Sequence, residues 1–197
     1  MSDQVWWYAT RAAGLMTWST AVAAVIVGLL LSTRVVKRRS GPWLLDLHRF
    51  LGGMSLLFLI VHMATLSLDS FVDFGLRELF IPGASTWNPE AAAWGIIAAI
   101  TLGLVEVTSL LRPWINPTMW RTVHMMSIVT VVAGSYHAIL GGSDVDNPII
   151  WVVAGSGAVV TALLVATRLL GATRNDRGRT AAPARPASRP MASQRRE

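Results

Sequence analysis

The chain has 197 residues, 53% of them hydrophobic and only 14% charged, with a formal charge of +6 and no cysteine. A mean hydropathy of +0.49 is too apolar for a soluble domain of this length and points to a membrane. The lack of cysteine excludes disulfides, thiolate-held zinc, iron–sulfur clusters and covalent haem attachment, so a cofactor has to be held by histidine, methionine, carboxylates or packing.

Five apolar segments reach the ~20 residues that a membrane-crossing helix needs: Ala12–Ser32, Asp46–Leu68, Ala91–Leu111, Arg121–Gly142 and Pro148–Leu170. The expected architecture is an all-α integral membrane bundle of five transmembrane helices over residues 12–170. An external segment, 1–11, precedes it and a basic tail, 171–197, follows. That tail carries seven arginines and two acids from Arg174 onward and is rich in Ala and Pro. Its composition predicts a disordered segment that sets orientation, with no role in nucleic-acid binding.

The loops alternate in charge. Arg34, Lys37, Arg38 and Arg39 follow the first span, and Arg112 and Arg121 flank the loop after the third. Asp69, Asp73, Arg77, Glu78 and Glu90 follow the second, and Asp144 and Asp146 the fourth. The positive-inside rule then puts the N-terminus outside and the C-terminus in the cytoplasm, in a multi-pass protein of the cytoplasmic membrane. Tryptophans at the segment boundaries read as interfacial anchors. The 69–90 connection contains "FVDFGLRELFIP", which predicts a short interfacial helix, either capping the outer face or serving as a plain connector.

All four histidines fall on the second and fourth spans: His48 and His62, 14 residues apart, and His124 and His137, 13 apart. At ~1.5 Å per residue each pair spans roughly 20 Å, one member per leaflet of a ~30 Å hydrocarbon layer. The two spans run in the same direction, so His48 matches His124 in depth near the cytoplasm, and His62 matches His137 near the outside. Two imidazoles facing each other across a bundle are the axial ligand set of a low-spin haem, so the count and depths predict two non-covalent haems b. Zinc is a poor alternative, because two ligands per leaflet leave it undercoordinated. A proton relay would not call for matched depths.

Helical phase supports the first pair. At ~100° per residue His62 lies only about 40° from His48, on a face shared with Gly52, Ser55 and Leu59, where small residues would let a porphyrin approach. The 13-residue offset puts His137 roughly 140° from His124 on a straight helix, so a bend or irregular turn is expected, with Gly134 the candidate position. Arg49 and Arg121, beside His48 and His124, are candidate partners for haem propionates. Glu106 is expected to pair with Arg112 or Arg121, or else to relay a proton. The methionines read as packing, and Arg34 with Lys37–Arg39 as inside charges.

"LHRFLGGMSLLFLIVHM" and "WRTVHMMSIVTVVAGSYHAI" resemble the two haem-bearing helices of the ferric reductase-like transmembrane domain. That superfamily includes ferric reductases, NADPH oxidases and the haem membrane subunit of bacterial methionine sulfoxide reductase systems. Its helices carry His-x13-His and His-x12-His, the two spacings found here. The resemblance implies haem ligation by His48–His124 and His62–His137, and one-electron transfer across the membrane. The family core commonly has six helices against the five counted here. Its larger members append a flavin- and nicotinamide-binding module, and residues 171–197 contain no G-x-G-x-x-G unit. The donor is therefore expected on another chain, a flavoprotein or a quinol, with an external acceptor or reductase partner. The alternatives are a non-redox scaffold or transporter using histidines as polar contacts, and a haem-based gas or redox sensor.

Overall fold

A computed structural model describes residues 3–33, 41–68 and 75–142 continuously, and residues between 147 and 170 in part. Every regular element among them is helical: α1 (Asp3–Thr33), α2 (Gly41–Leu68), α3 (Leu76–Phe80), α4 (Pro89–Leu110), a 3₁₀ turn (Arg112–Trp114), α5 (Pro117–His124) and α6 (Ser127–Gly141). Among the described residues four stretches are long and apolar enough to cross a membrane: Gln4–Thr33, Gly41–Leu68, Pro89–Leu110 and Pro117–Gly141, the last formed by α5 and α6 together. They correspond to the first four expected spans. The described residues of the expected fifth, Pro148–Leu170, are helical, and a Cβ on Gly157 would stand 3.3 Å from Val22 Cγ1 on α1. Arg34, Lys37–Arg39 and the 171–197 tail lie outside the described residues.

Asparagine–proline pairs start two of the helices. Asn88 and Asn116 each cap through the side-chain oxygen, which accepts from Ala91 N and Thr118 N, and Pro89 and Pro117 fill first-turn positions that need no amide proton. Asn88 does more. It adopts a left-handed backbone (φ 36°), and its Nδ2 donates to Leu140 O at 2.8 Å, tying the start of α4 to the end of α6. Asn88→Ala is expected to lower stability by about 1–2 kcal/mol, from the lost cap and the unfavourable αL geometry, read as an earlier unfolding midpoint in detergent.

The helices pack as two antiparallel hairpins, α1 with α2 and α4 with α6, and contacts between the hairpins are sparser. The buried faces are built from small residues: Ala13, Ala21 and Ala24 on α1, Gly52 and Ser55 on α2, Ala91 and Ala92 on α4, Ala133 on α6. Among the described residues the largest fully buried side chain is Ser55. Apolar packing gains little when the solvent is lipid, so close backbone approach and hydroxyl bonds take over. Thr10 bonds Thr65 between α1 and α2, Thr130 bonds Thr101 between α6 and α4, and Trp18 Nε1 donates to Ser135 Oγ between the hairpins. Outward stripes such as Phe50, Leu57, Val61 and Leu68 on α2, or Ile100, Leu104 and Val107 on α4, form an apolar exterior suited to lipid.

The short helix expected in the 69–90 connection is α3. Its Leu79 is buried, while Leu76 and Phe80 remain exposed. The indole of Trp87 lies over Gly141 beside His137, so the connection reaches the end of the bundle that carries the second histidine pair.

Candidate cofactor-binding site: two histidine pairs

The two hairpins bring the four histidines together in two pairs. The ring of His48 on α2 stands 5.8 Å from that of His124 on α5, with planes crossing at 70°. His62 on α2 stands 6.3 Å from His137 on α6, with planes crossing at 79°. All four residues are half-buried. The first pair lies toward the basic loops that follow α1 and α4, the second toward the acidic connections.

Each imidazole is fixed from behind. Nδ1 of His48 lies 2.9 Å from Ala24 O, that of His62 2.8 Å from Thr10 O, and that of His137 2.8 Å from Ala91 O. A carbonyl can only accept, so in all three rings Nδ1 carries the proton, and in the neutral imidazole the lone pair is then on Nε2. This is the arrangement that orients a histidine for metal binding and raises its basicity. The three contacts share one design: the residue four positions after the acceptor is glycine. A Cβ on Gly28 would stand 3.1 Å from His48, one on Gly14 3.1 Å from His62, and one on Gly95 2.7 Å from His137. In a helix the carbonyl at i receives the amide of i+4, and a side chain at i+4 would crowd its second lone pair. Glycine opens that flank to the ring.

His124 is held differently. At the corresponding place on α4, Ser109 donates its hydroxyl to Val105 O at 2.7 Å, and its Oγ lies 3.4 Å from His124 Nδ1. Trp120 stacks on His124 at 4.9 Å, and the Arg112 guanidinium lies 4.6 Å above the same indole. Trp120 Nε1 is buried with no hydrogen-bond partner among the described residues.

The expected irregularity of the second histidine helix is present, but not at Gly134. α6 runs unbroken through that residue, which packs against Trp18 and Ala98. The break falls at Met125–Met126, directly after His124, where Met126 N bonds Val123 O and Ile128 N bonds Met125 O in i→i−3 fashion. A 3₁₀ turn advances ~2.0 Å and ~120° per residue in place of ~1.5 Å and ~100°. Three such residues lengthen 13 by about 1.5 Å, enough to match 14 α-helical residues. They also reduce the phase error from roughly 140° to roughly 80°.

Other expected roles shift. Gly52 does not open toward the histidine pair: its bare face takes the Glu106 carboxyl, whose Oε1 would stand 2.6 Å from a Cβ there. Ser55 is wholly buried with its hydroxyl on Gly52 O, a helix-internal bond. Glu106 makes no ion pair among the described residues; Arg112 lies over Trp120, and Arg121 is exposed. Arg49 lies 3.8 Å from Asp46 on an exposed surface, a contact that contributes little energy.

Sequence reasoning did not find the backbone carbonyls, the glycines behind the rings, Ser109 or the Trp120 stack. A signal for the glycines was present: Gly14 and Gly28 are 14 apart, as are Gly95 and Ser109, matching the His48–His62 interval on the antiparallel neighbour. No family model, curated protein or solved structure matches the chain.

Proposed function

We propose that the chain is a di-haem b-type membrane cytochrome. It passes single electrons between the two faces of the cytoplasmic membrane as a subunit of an oxidoreductase whose flavin or nicotinamide module resides on another chain. The observation that carries this reading is the paired, pre-oriented imidazoles at two depths. Two imidazoles joined through one metal at ~2.0–2.1 Å per bond would stand with ring centres ~6.4 Å apart, against 6.3 Å for His62–His137 and 5.8 Å for His48–His124. Edge-to-face packing tolerates the same distance. What edge-to-face packing does not supply is the shared mount, Nδ1 on a carbonyl four residues before a glycine in three of the four rings. Each pair has no third His, Asp or Glu donor beside it among the described residues, which suits an iron whose other ligands come from a porphyrin better than a bare ion.

His48 with His124 would hold one haem and His62 with His137 the other, and the bound iron would supply the one-electron couple. The chain's own contribution is geometric and electrostatic. Thr10, Ala24 and Ala91 fix ring tautomer and orientation through their carbonyls. The buried Trp120 N–H and the unengaged Arg121 are donors for anionic propionates at the basic-loop end, with Arg49 available there on release from Asp46. We place that end in the cytoplasm, with the N-terminus outside and the 148–170 segment as a fifth span. The donor is then a flavoprotein or quinol on the cytoplasmic side, and the acceptor an external oxidant or reductase partner. The protein falls in the ferric reductase-like class on this reading, on the strength of its two histidine spacings.

The test is a haem count on protein purified in detergent from cells supplied with haem. Two low-spin b haems per chain, by pyridine haemochrome and dithionite-reduced spectra, are expected. Protein without haem overturns the reading. High-spin iron that binds carbon monoxide would make it a sensor. If a bound haem kept the ring-plane angles of 70° and 79°, its ferric form would be expected to give a strongly anisotropic low-spin EPR signal in place of the three-line rhombic spectrum of parallel rings.

A further inference from the structure

The two hairpins repeat one design. On α1, Thr10 and Gly14 serve His62, and Ala24 and Gly28 serve His48. On α4, Ala91 and Gly95 serve His137 in the same way. The repeat predicts Val105 and a glycine behind His124, and the chain has Val105 and Ser109. This is the one position at which the four imidazole mounts differ in kind.

The difference has a direction. At three mounts the Nδ1 proton goes to a carbonyl at 2.8–2.9 Å. At the fourth, were Nε2 given to a metal, the Nδ1 proton would meet a hydroxyl oxygen at 3.4 Å, a long and weak contact, and that hydroxyl has already given its own proton to Val105 O. A strong acceptor on Nδ1 pushes electron density toward Nε2 and makes the ring a better donor to a metal. A better donor favours the ferric over the ferrous state, so it lowers the potential. We propose that Ser109 is a positioning residue that makes the two sites unequal: by standing between Val105 O and His124 it weakens that ligand and raises the reduction potential of the His48–His124 site. This rests on the di-haem reading.

Two substitutions move the mount in opposite directions. Ser109→Gly recreates the carbonyl–glycine design of the other three and lets His124 reach Val105 O. Ser109→Ala removes the hydroxyl but keeps the Cβ, leaving the Nδ1 proton without an acceptor. Arg112, Trp120 and Glu106 are the same in parent and variants, so their fields cancel in the comparison. In potentiometric titrations of the two-haem protein, followed at the reduced visible band, Ser109→Gly is expected to shift one midpoint down, Ser109→Ala to shift the same midpoint up, and the second midpoint to stay in place in both. A role confined to helix packing would not produce opposite signs. Midpoints indifferent to both substitutions, shifts of equal sign, or both haems moving together overturn the proposal while leaving the di-haem reading intact. A parent protein that takes up no haem overturns the reading itself.

Discussion

On the di-haem proposal, protein carrying His137→Ala or His62→Ala is expected to purify with one haem per chain in place of two. The haem retained is the one expected at the His48–His124 pair. The two sites lie roughly 20 Å apart along α2, too far for one iron's ligands to substitute for the other's. Deleting His137 also removes its bond to Ala91 O and leaves the flank of Gly95 uncovered, a cost of about 1 kcal/mol from the hydrogen bond alone. A haem loss that reached both sites in otherwise folded protein would show that the pairing is wrong. Folding is checked independently by far-ultraviolet circular dichroism and a monodisperse detergent profile.

Gly95→Ala should come close to the same result without touching a histidine. Its Cβ would fall 2.7 Å from His137 Nδ1 and 2.8 Å from Cε1, distances that real atoms do not sustain. The methyl is anchored to α4, so the ring must swing off Ala91 O and lose its orientation. Gly14→Ala and Gly28→Ala place the methyl 3.1 Å from His62 and His48, and a displacement of a few tenths of an ångström relieves them. They should perturb the spectrum and retain the haem. Gly103 is the control: a Cβ there meets nothing within 4 Å, so alanine should leave both haems in place and add up to about 1 kcal/mol of helix propensity. The order of effect, Gly95 well ahead of Gly14 and Gly28 with Gly103 neutral, separates ring crowding from any general intolerance of alanine. Haem retention in Gly95→Ala equal to that of Gly103→Ala would remove the mount from the account.

The membrane-crossing helices were legible because twenty-residue apolar runs are a strong signal and Asn-Pro pairs mark two of the starts. The face-to-face placement of His48 with His124 and of His62 with His137 was legible for a related reason: matched depth follows from counting residues along helices of known direction. What the sequence hid was everything that depends on lateral contact between helices. The break after His124 has no proline or glycine to announce it. There 13 residues on one helix lie against 14 on its neighbour, a mismatch visible only once the helices are side by side. Gly52 looked like an opening for a porphyrin because it shares a face with His48, yet Glu106 reaches that face from α4. The mounts behind the rings are backbone carbonyls, and a carbonyl has no letter in the sequence. Only the glycines that expose them do.

The break at Met125–Met126 also divides the mechanical behaviour of the two histidine-bearing strands. α2 is a single rod from Gly41 to Leu68, so any tilt or axial slide of it carries His48 and His62 together. The opposite strand is jointed. α5 delivers His124 and α6 delivers His137, with a short stretch of poorer 3₁₀ bonding between them. His124 and His137 thus ride on separate helices joined by that turn, whereas His48 and His62 ride on one.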